Sequence, residues 1–488
     1  MRCPGRAGGG GRGGQLRSRC RNVLAACKTL GIAARLLPLS LHTCQAIDLS
    51  RIDHQFRTSA VSWHQAAIFA VEALLPTTLQ LPHAAAMRRT ATAAGLATTA
   101  LASSLSSRGL RAASYVGTAT RSREVPDKVS LAVAQNALMD DILLPRVAKA
   151  AAAASSQVRY APSWLGAPAA REGFAQLYNE HILQTGRLDA AQIAVVGSAT
   201  AAIDLLLYAT CERGAVVLTP APYYGSYKRD AEARAECRLV GVPSEHGVPS
   251  EAQLEAAWTE EAKCLLLASP HNPCGTVFPA DALRACVRWA RRRGLQVVVD
   301  EVFALSVFDG TFTSVLDLLD DDDRHVHVVY SAAKDLALSG YRVGAIATRD
   351  ASVLDAVASA GAFCAASTVT QAIVTELCTD DRWLRDEWIP ALRSRLAESW
   401  HSARRCLETE GLPVVGEPAA GHFCLLDLRD TRCDERALEA AGVVLTPGPL
   451  MGAPEGFYRL CHAAESSEVV AAAIARVGRV ARGGISNV

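Results

Sequence analysis

The 488-residue chain is notable first for what it lacks. Its 50 Lys and Arg nearly cancel its 49 Asp and Glu, for a formal charge of +1, so no charge excess marks a nucleic-acid-binding surface. No apolar stretch is both long enough and free enough of charge to span a bilayer. The 15 cysteines contain no C-x-x-C and no zinc spacing. Scattered as Cys211, Cys264, Cys286 and Cys461 are, they read as free thiols in a reducing compartment. Acids are missing altogether from Met1 to Ile47, which carries Arg2, Arg6, Arg12, Arg17, Arg19, Arg21, Lys28 and Arg35, and again from Ala73 to Arg123. Two readings of residues 1–125 stand. An Arg- and Ser-rich, acid-poor leader suits an organelle transit peptide, which would send the protein to a mitochondrion or plastid. A gene-model artefact, with Met87 as an alternative start, would leave it cytoplasmic. Neither gives the leader a catalytic part.

The rest of the chain, about 360 residues, exceeds the size at which single cores stop growing, so a large and a small domain are expected. Between Gln192 and Thr348, apolar runs at 193–197, 215–219, 263–268, 295–300, 326–331 and 343–348 alternate with helical stretches such as Leu283 to Arg293. That alternation predicts an α/β fold, a mostly parallel sheet with helices on both faces. The large domain is assigned to residues 166–350. A smaller α+β domain joins residues 126–165 to 351–488, with a strand from Gly456 to Cys461. The run Asp320 to Asp323 reads as a solvated loop, and Arg291 to Arg293 before Gly294 as a charged helix C-terminus.

Chemistry gathers where strands end. Lys334, in Ser331-Ala332-Ala333-Lys334-Asp335, follows an apolar strand, and a lysine held dry there has a lowered pKa and a nucleophilic amine. Arg342, eight residues on, offers a planar fork to phosphate oxygens, and Ser331 a hydroxyl. Asp300 closes the run Leu295 to Val299, a suitable place for a carboxylate that keeps a pyridinium protonated. Ser269-Pro270-His271-Asn272-Pro273 is a rigid turn presenting an amide. Gly197-Ser198-Ala199-Thr200 opens a helix whose free amides can hold a phosphate. Pro222-Tyr223-Tyr224 sets an aromatic ring at the same edge. In this order, the segments fit a pyridoxal 5′-phosphate site.

These segments, together with Asn272-Pro273-Cys274-Gly275-Thr276, Val299-Asp300-Glu301, Gly340-Tyr341-Arg342-Val343-Gly344 and Tyr458-Arg459-Leu460-Cys461, resemble the class I/II aminotransferases of fold type I. The likeness is greatest to the branch containing 1-aminocyclopropane-1-carboxylate synthase. It runs from about Val129 to the C-terminal region. The resemblance implies that Lys334 is the Schiff-base lysine and proton shuttle and that Asp300 pairs with the ring nitrogen. It implies that Asn272 bonds the phenolic oxygen, Tyr224 stacks on the ring, and Ala199, Thr200, Ser331 and Arg342 hold the phosphate. Arg459 would receive the substrate's α-carboxylate, and a homodimer with sites at the subunit boundary is implied.

Three positions depart from the family pattern. Phe303 stands where many members have a tyrosine that bonds the phenolic oxygen. Trp164, before Leu165-Gly166-Ala167-Pro168, replaces a tyrosine often supplied to the substrate site by the partner subunit. Gln135, in Val133-Ala134-Gln135-Asn136, is a neutral amide where the cyclopropane-forming synthases carry a glutamate. The expected activity is therefore amino transfer between an L-amino acid and a 2-oxo acid. The alternatives are a lyase acting on S-adenosylmethionine and, less favoured, a catalytically silent homologue.

Overall fold

The computed structural model describes residues 105–115, 128–320 and 323–483; almost all of the basic leader, with Met87, and Asp321 and Asp322 lie outside them. Seven strands form one sheet: β1 (Ile193–Val196), β2 (Val216–Ala221), β3 (Arg238–Pro243), β4 (Ala262–Ala268), β5 (Gln296–Asp300), β6 (Val326–Ser331) and β7 (Gly344–Thr348), in the order β1-β7-β6-β5-β4-β2-β3. The pairs β2/β3, β2/β4, β4/β5 and β5/β6 are parallel, and β7 runs antiparallel to both β1 and β6. The expected mostly parallel sheet is therefore present.

Why such apolar runs become strands is visible in how their residues divide. Val195, Leu218, Leu265, Leu267, Val297, Val299 and Val328 enter one hydrophobic cluster, with Phe174 and Leu177 of the helix Pro168–His181. Their neighbours Val196, Val217, Leu266, Val298, Val329 and Ile346 enter another, with Leu205 and Leu206 of the helix Ala199–Thr210. Side chains alternate across a strand, so a sheet buried on both faces needs apolar residues at every position. The helix Ala280–Arg292 buries Leu283, Cys286, Val287, Trp289 and Ala290. It ends before Gly294, whose φ of +67° supplies the left-handed turn.

Two expectations need correction. β3 was not anticipated, because this edge strand of six residues, Arg-Leu-Val-Gly-Val-Pro, is largely exposed and carries no continuous apolar run. Asp323 is no solvated loop acid: it is buried, lies 3.2 Å from Arg291 and accepts the amide of Asp320 at 2.8 Å. The turn folds that carboxylate back onto the end of the helix that carries Arg291.

A second, antiparallel sheet joins β8 (Phe423–Asp427), β9 (Thr446–Pro447) and β10 (Phe457–Cys461), in the order β9-β10-β8. Tyr458 and Leu460 pack with Trp400 and Leu407 of the long helix Ile389–Glu410 and with Ile474 and Val477 of Ser467–Ala481. The alternation of β10 turns Arg459 to the other side. Among the described residues no helix is long and apolar enough to cross a membrane, and eleven cysteines are free.

Candidate active site

The ends of the strands lie level. Ala268, the last residue of β4, is in register with Asp300, the last of β5, and Asp300 with Val329 near the end of β6. The loops that follow therefore deliver Asn272, Val302 and Phe303, and Lys334 to one place, outside the carboxyl ends of the parallel strands. A cavity of about 1210 Å³ opens there. Ala199, Thr200, Tyr224, Asn272, Asp300, Ser331, Lys334, Arg342 and Arg459 all line it, as do Gln135 and Phe303.

Lys334 lies in the short helix Ala332–Asp335, capped by the Ser331 hydroxyl, which accepts the Ala333 amide at 3.2 Å. Its ammonium donates to the Ala134 carbonyl. Burial brings the Lys334 pKa down to about 8; Arg459 adds to the fall, and Cys461 and Asp300 oppose it. Asp300 is pushed up to about 6 by burial, against the pull of hydrogen bonds from the Tyr227 hydroxyl at 2.8 Å and the Val302 amide at 3.3 Å. Next in sequence to Lys334, Asp335 points elsewhere. It accepts the Leu305 amide at 2.8 Å, the Ser306 hydroxyl at 2.6 Å and the Tyr330 hydroxyl at 3.1 Å, which ties the lysine's loop to the core.

At the start of the helix Ala199–Thr210, Ser198 accepts the Ala201 amide at 3.0 Å and caps it. The first amides of a helix have no intrahelical acceptor, and they collect partial positive charge. Gly344 lets β7 lie against this helix start: a Cβ there would stand 2.7 Å from the Ser198 carbonyl carbon and 2.9 Å from the Ala199 nitrogen. Arg342 has φ +53° and donates to the Ser339 carbonyl at 2.9 Å.

Arg459 is buried, donating to Asn272 Oδ1 at 3.0 Å and to the Ala132 carbonyl at 2.6 Å; its Nε has no protein acceptor. A buried guanidinium without a carboxylate facing it suits an anionic ligand. With an amine of lowered pKa, a buried carboxylate and a helix start on the same cavity, these residues fit pyridoxal phosphate and an amino acid.

Trp164 does not line this cavity. It is 48% exposed and meets Tyr160 edge to face at 6.0 Å. Sequence reasoning also missed two neighbours of the site. Tyr227 was an unremarked aromatic three residues past Tyr224, and only the fold puts its hydroxyl on Asp300. His422 packs edge-on against Phe303 at 5.1 Å, fully buried, with neither ring nitrogen partnered; no local pattern marks it.

Comparison with known proteins agrees with this fold. The family profile described as aminotransferase class I and II matches residues 126–477. A 1-aminocyclopropane-1-carboxylate synthase of Nicotiana tabacum is 29% identical over 315 residues, 59% of this chain and 64% of that protein. A human protein described as a probable inactive 1-aminocyclopropane-1-carboxylate synthase-like protein 2 is 28% identical over 291 residues, 56% of this chain and 51% of that one. The alignments thus span between half and two thirds of these relatives' length. Among solved structures, a double mutant of Thermus thermophilus aspartate aminotransferase superposes with a TM-score of 0.66 at 25% identity, covering 78% of this chain and 96% of that one.

Proposed function

This chain belongs to the class I and II aminotransferase family, whose members depend on pyridoxal 5′-phosphate, and we propose that it transfers amino groups between an L-amino acid and a 2-oxo acid. The observation that carries this is the meeting of the Lys334 amine, the Asp300 carboxylate and the Arg459 fork on one cavity.

In this reading the amides of Ala199 and Thr200, with Ser331 and Arg342, hold the phosphate, Asn272 takes the phenolic oxygen, Tyr224 stacks on the ring and Asp300 faces the ring nitrogen. When bound, the cofactor supplies a protonated ring that withdraws electrons from the substrate's Cα. Arg459 binds the α-carboxylate through two parallel donors, which fixes orientation as well as adding energy. Burial lowers the Lys334 pKa from its ordinary value, which makes the neutral amine more available, so its Nζ can take the Cα proton and return it. Asp300 and Arg459 are buried and Lys334 is partly buried, which limits the competition of bulk water for these charges.

Gln135 favours transfer over elimination. Its amide lies 3.5 Å from the Ser339 hydroxyl and offers the sulfonium of S-adenosylmethionine a dipole in place of an ion. The second reading, a 1-aminocyclopropane-1-carboxylate synthase-like lyase, is favoured by the names of the sequence relatives. We further propose a homodimer. Val158, Tyr160, Trp164 and Phe363 are 82%, 89%, 48% and 87% exposed, and Tyr160 and Trp164 are in contact; a second copy would cover these apolar side chains and bring Trp164 to its neighbour's substrate.

The test is product analysis of purified protein loaded with cofactor. With common L-amino acids and no oxo acid, pyridoxamine phosphate should accumulate, and borohydride should leave a phosphopyridoxyl group on Lys334. Release of methylthioadenosine from S-adenosylmethionine, without amino transfer from any amino acid, would make the lyase the better reading. Bound cofactor with neither product would make the protein a silent homologue.

A further inference from the structure

Tyr227 is the last residue of Tyr224-Gly225-Ser226-Tyr227, at the start of the helix Tyr227–Glu232. Its side chain is 0% exposed, its ring meets Tyr224 edge to face at 5.3 Å, and its hydroxyl donates to Asp300 Oδ2 at 2.8 Å. The other carboxylate oxygen, Oδ1, takes only the longer bond from the Val302 amide at 3.3 Å. A carboxylate fixed at one oxygen by a buried phenol keeps one orientation and has the other oxygen free for a partner in the cavity.

The charged and titratable groups around the pair are few. Lys334 faces Asp300, while Tyr224 and Asp230, itself held by Arg229 at 2.8 Å, face Tyr227. Phe303 adds no hydroxyl on the cavity wall; its ring packs on His422 and Phe423 at 5.1 and 5.2 Å. Of the aromatic rings lining or flanking the cofactor positions, it is therefore Tyr227 that reaches a group assigned to the ring, and it reaches the acid rather than the phenolic oxygen.

We propose that Tyr227 is a positioning residue, which orients the Asp300 carboxylate and keeps it ionised, so that the proton it shares with the cofactor's ring nitrogen stays on nitrogen. The proposal rests on the pyridoxal phosphate reading of the cavity. Burial alone would raise the proton affinity of Asp300 and draw that proton onto the carboxylate. A phenol hydrogen bond opposes this, because it stabilises the carboxylate more than the carboxylic acid.

The test is Tyr227→Phe, which keeps the ring and its packing. Both proteins are loaded with pyridoxal phosphate labelled with ¹⁵N in the ring, and the nitrogen resonance is recorded. In wild type it should sit at the protonated position. In the variant it should move toward that of neutral pyridine, and kcat should fall roughly ten- to a hundred-fold with little change in KM, the effect of losing one hydrogen bond to a charged group. The same substitution in an Asp300→Asn background should leave the resonance unmoved, because the group through which Tyr227 acts is gone. An unchanged resonance in Tyr227→Phe, or an equal shift in the Asp300→Asn background, overturns the positioning role. Failure of wild type to show any bound resonance would instead sink the cofactor reading.

Discussion

Arg459 and Asn272 are 187 residues apart in sequence, yet Arg459 Nη1 donates to Asn272 Oδ1 at 3.0 Å in the buried wall of the cavity. One bond thus joins the residue proposed for the substrate's carboxylate to the residue proposed for the cofactor's phenolic oxygen. Each holds the other in orientation before either ligand arrives, which lowers the ordering cost of binding.

Arg459→Lys replaces a planar fork with a point charge and removes one of the two parallel donors. The expected outcome is a rise in KM for amino acids of roughly ten-fold or more, with the cofactor's absorbance retained. Steady-state kinetics beside an absorption spectrum checks it. Loss of the cofactor with amino-acid preference intact would assign Arg459 to the wrong ligand.

In the apo-protein, burial that lowers the Lys334 pKa from 10.5 to about 8 also costs stability. Below pH 8 folding has to bury an ammonium. Between pH 8 and 10.5 the unfolded chain binds more protons, so the penalty fades as pH rises. Lys334→Met should therefore stabilise the apo-protein at pH 7 by up to about 3 kcal/mol, with the gain shrinking at pH 9 to 10. Urea denaturation across that range measures it, and a gain independent of pH would show that Lys334 is not strained by its surroundings.

Asp335 gives the opposite slope. Burial lifts its pKa from 3.8 to about 7 despite three hydrogen-bond donors. Between those values the folded protein binds more protons than the unfolded chain, and the contribution of Asp335 to stability falls as pH rises. An asparagine can keep the Leu305 and Tyr330 donors on its oxygen and donate to Ser306. Asp335→Asn should be near neutral at pH 4 and gain on wild type toward pH 7, by an amount on the order of a few kcal/mol. Parallel denaturation curves that keep the same separation at every pH would refute this.

Phe303 lines the cavity with no hydroxyl. Phe303→Tyr should add a donor to the cofactor's phenolic oxygen and lower the midpoint of the bound cofactor's absorbance titration by on the order of one pH unit. Superimposable titrations of the two proteins would mean that the ring at 303 does not face the cofactor.

Gln135→Glu places a carboxylate on the cavity wall beside Ser339. It should tighten binding of S-adenosylmethionine several-fold and leave binding of neutral amino acids nearly unchanged, since only the former brings a sulfonium. Calorimetric titration of both ligands tests it; equal effects on the two would remove Gln135 from the substrate's side-chain region.

The sequence by itself determined the buried strands of the large sheet and the residues at their ends. An apolar run such as Leu295 to Val299 can satisfy neighbours on both faces only as a buried strand, and Asp300 at its end has to meet whatever lies beyond that edge. Lys334 and Arg342 were legible for the same reason, since both sit on short turns fixed by local backbone. The tertiary structure alone decided what touches them. The edge strand β3 carried no apolar run to betray it. The contacts of Tyr227 with Asp300, Arg459 with Asn272, and His422 with Phe303 join residues 73, 187 and 119 positions apart. Such partners follow from sheet order and from which face of β10 turns inward, and no local periodicity encodes either. Trp164 marks the same boundary: its sequence context resembles that of a substrate-site tyrosine in the family, while the fold of one chain sets it on the surface beside Tyr160.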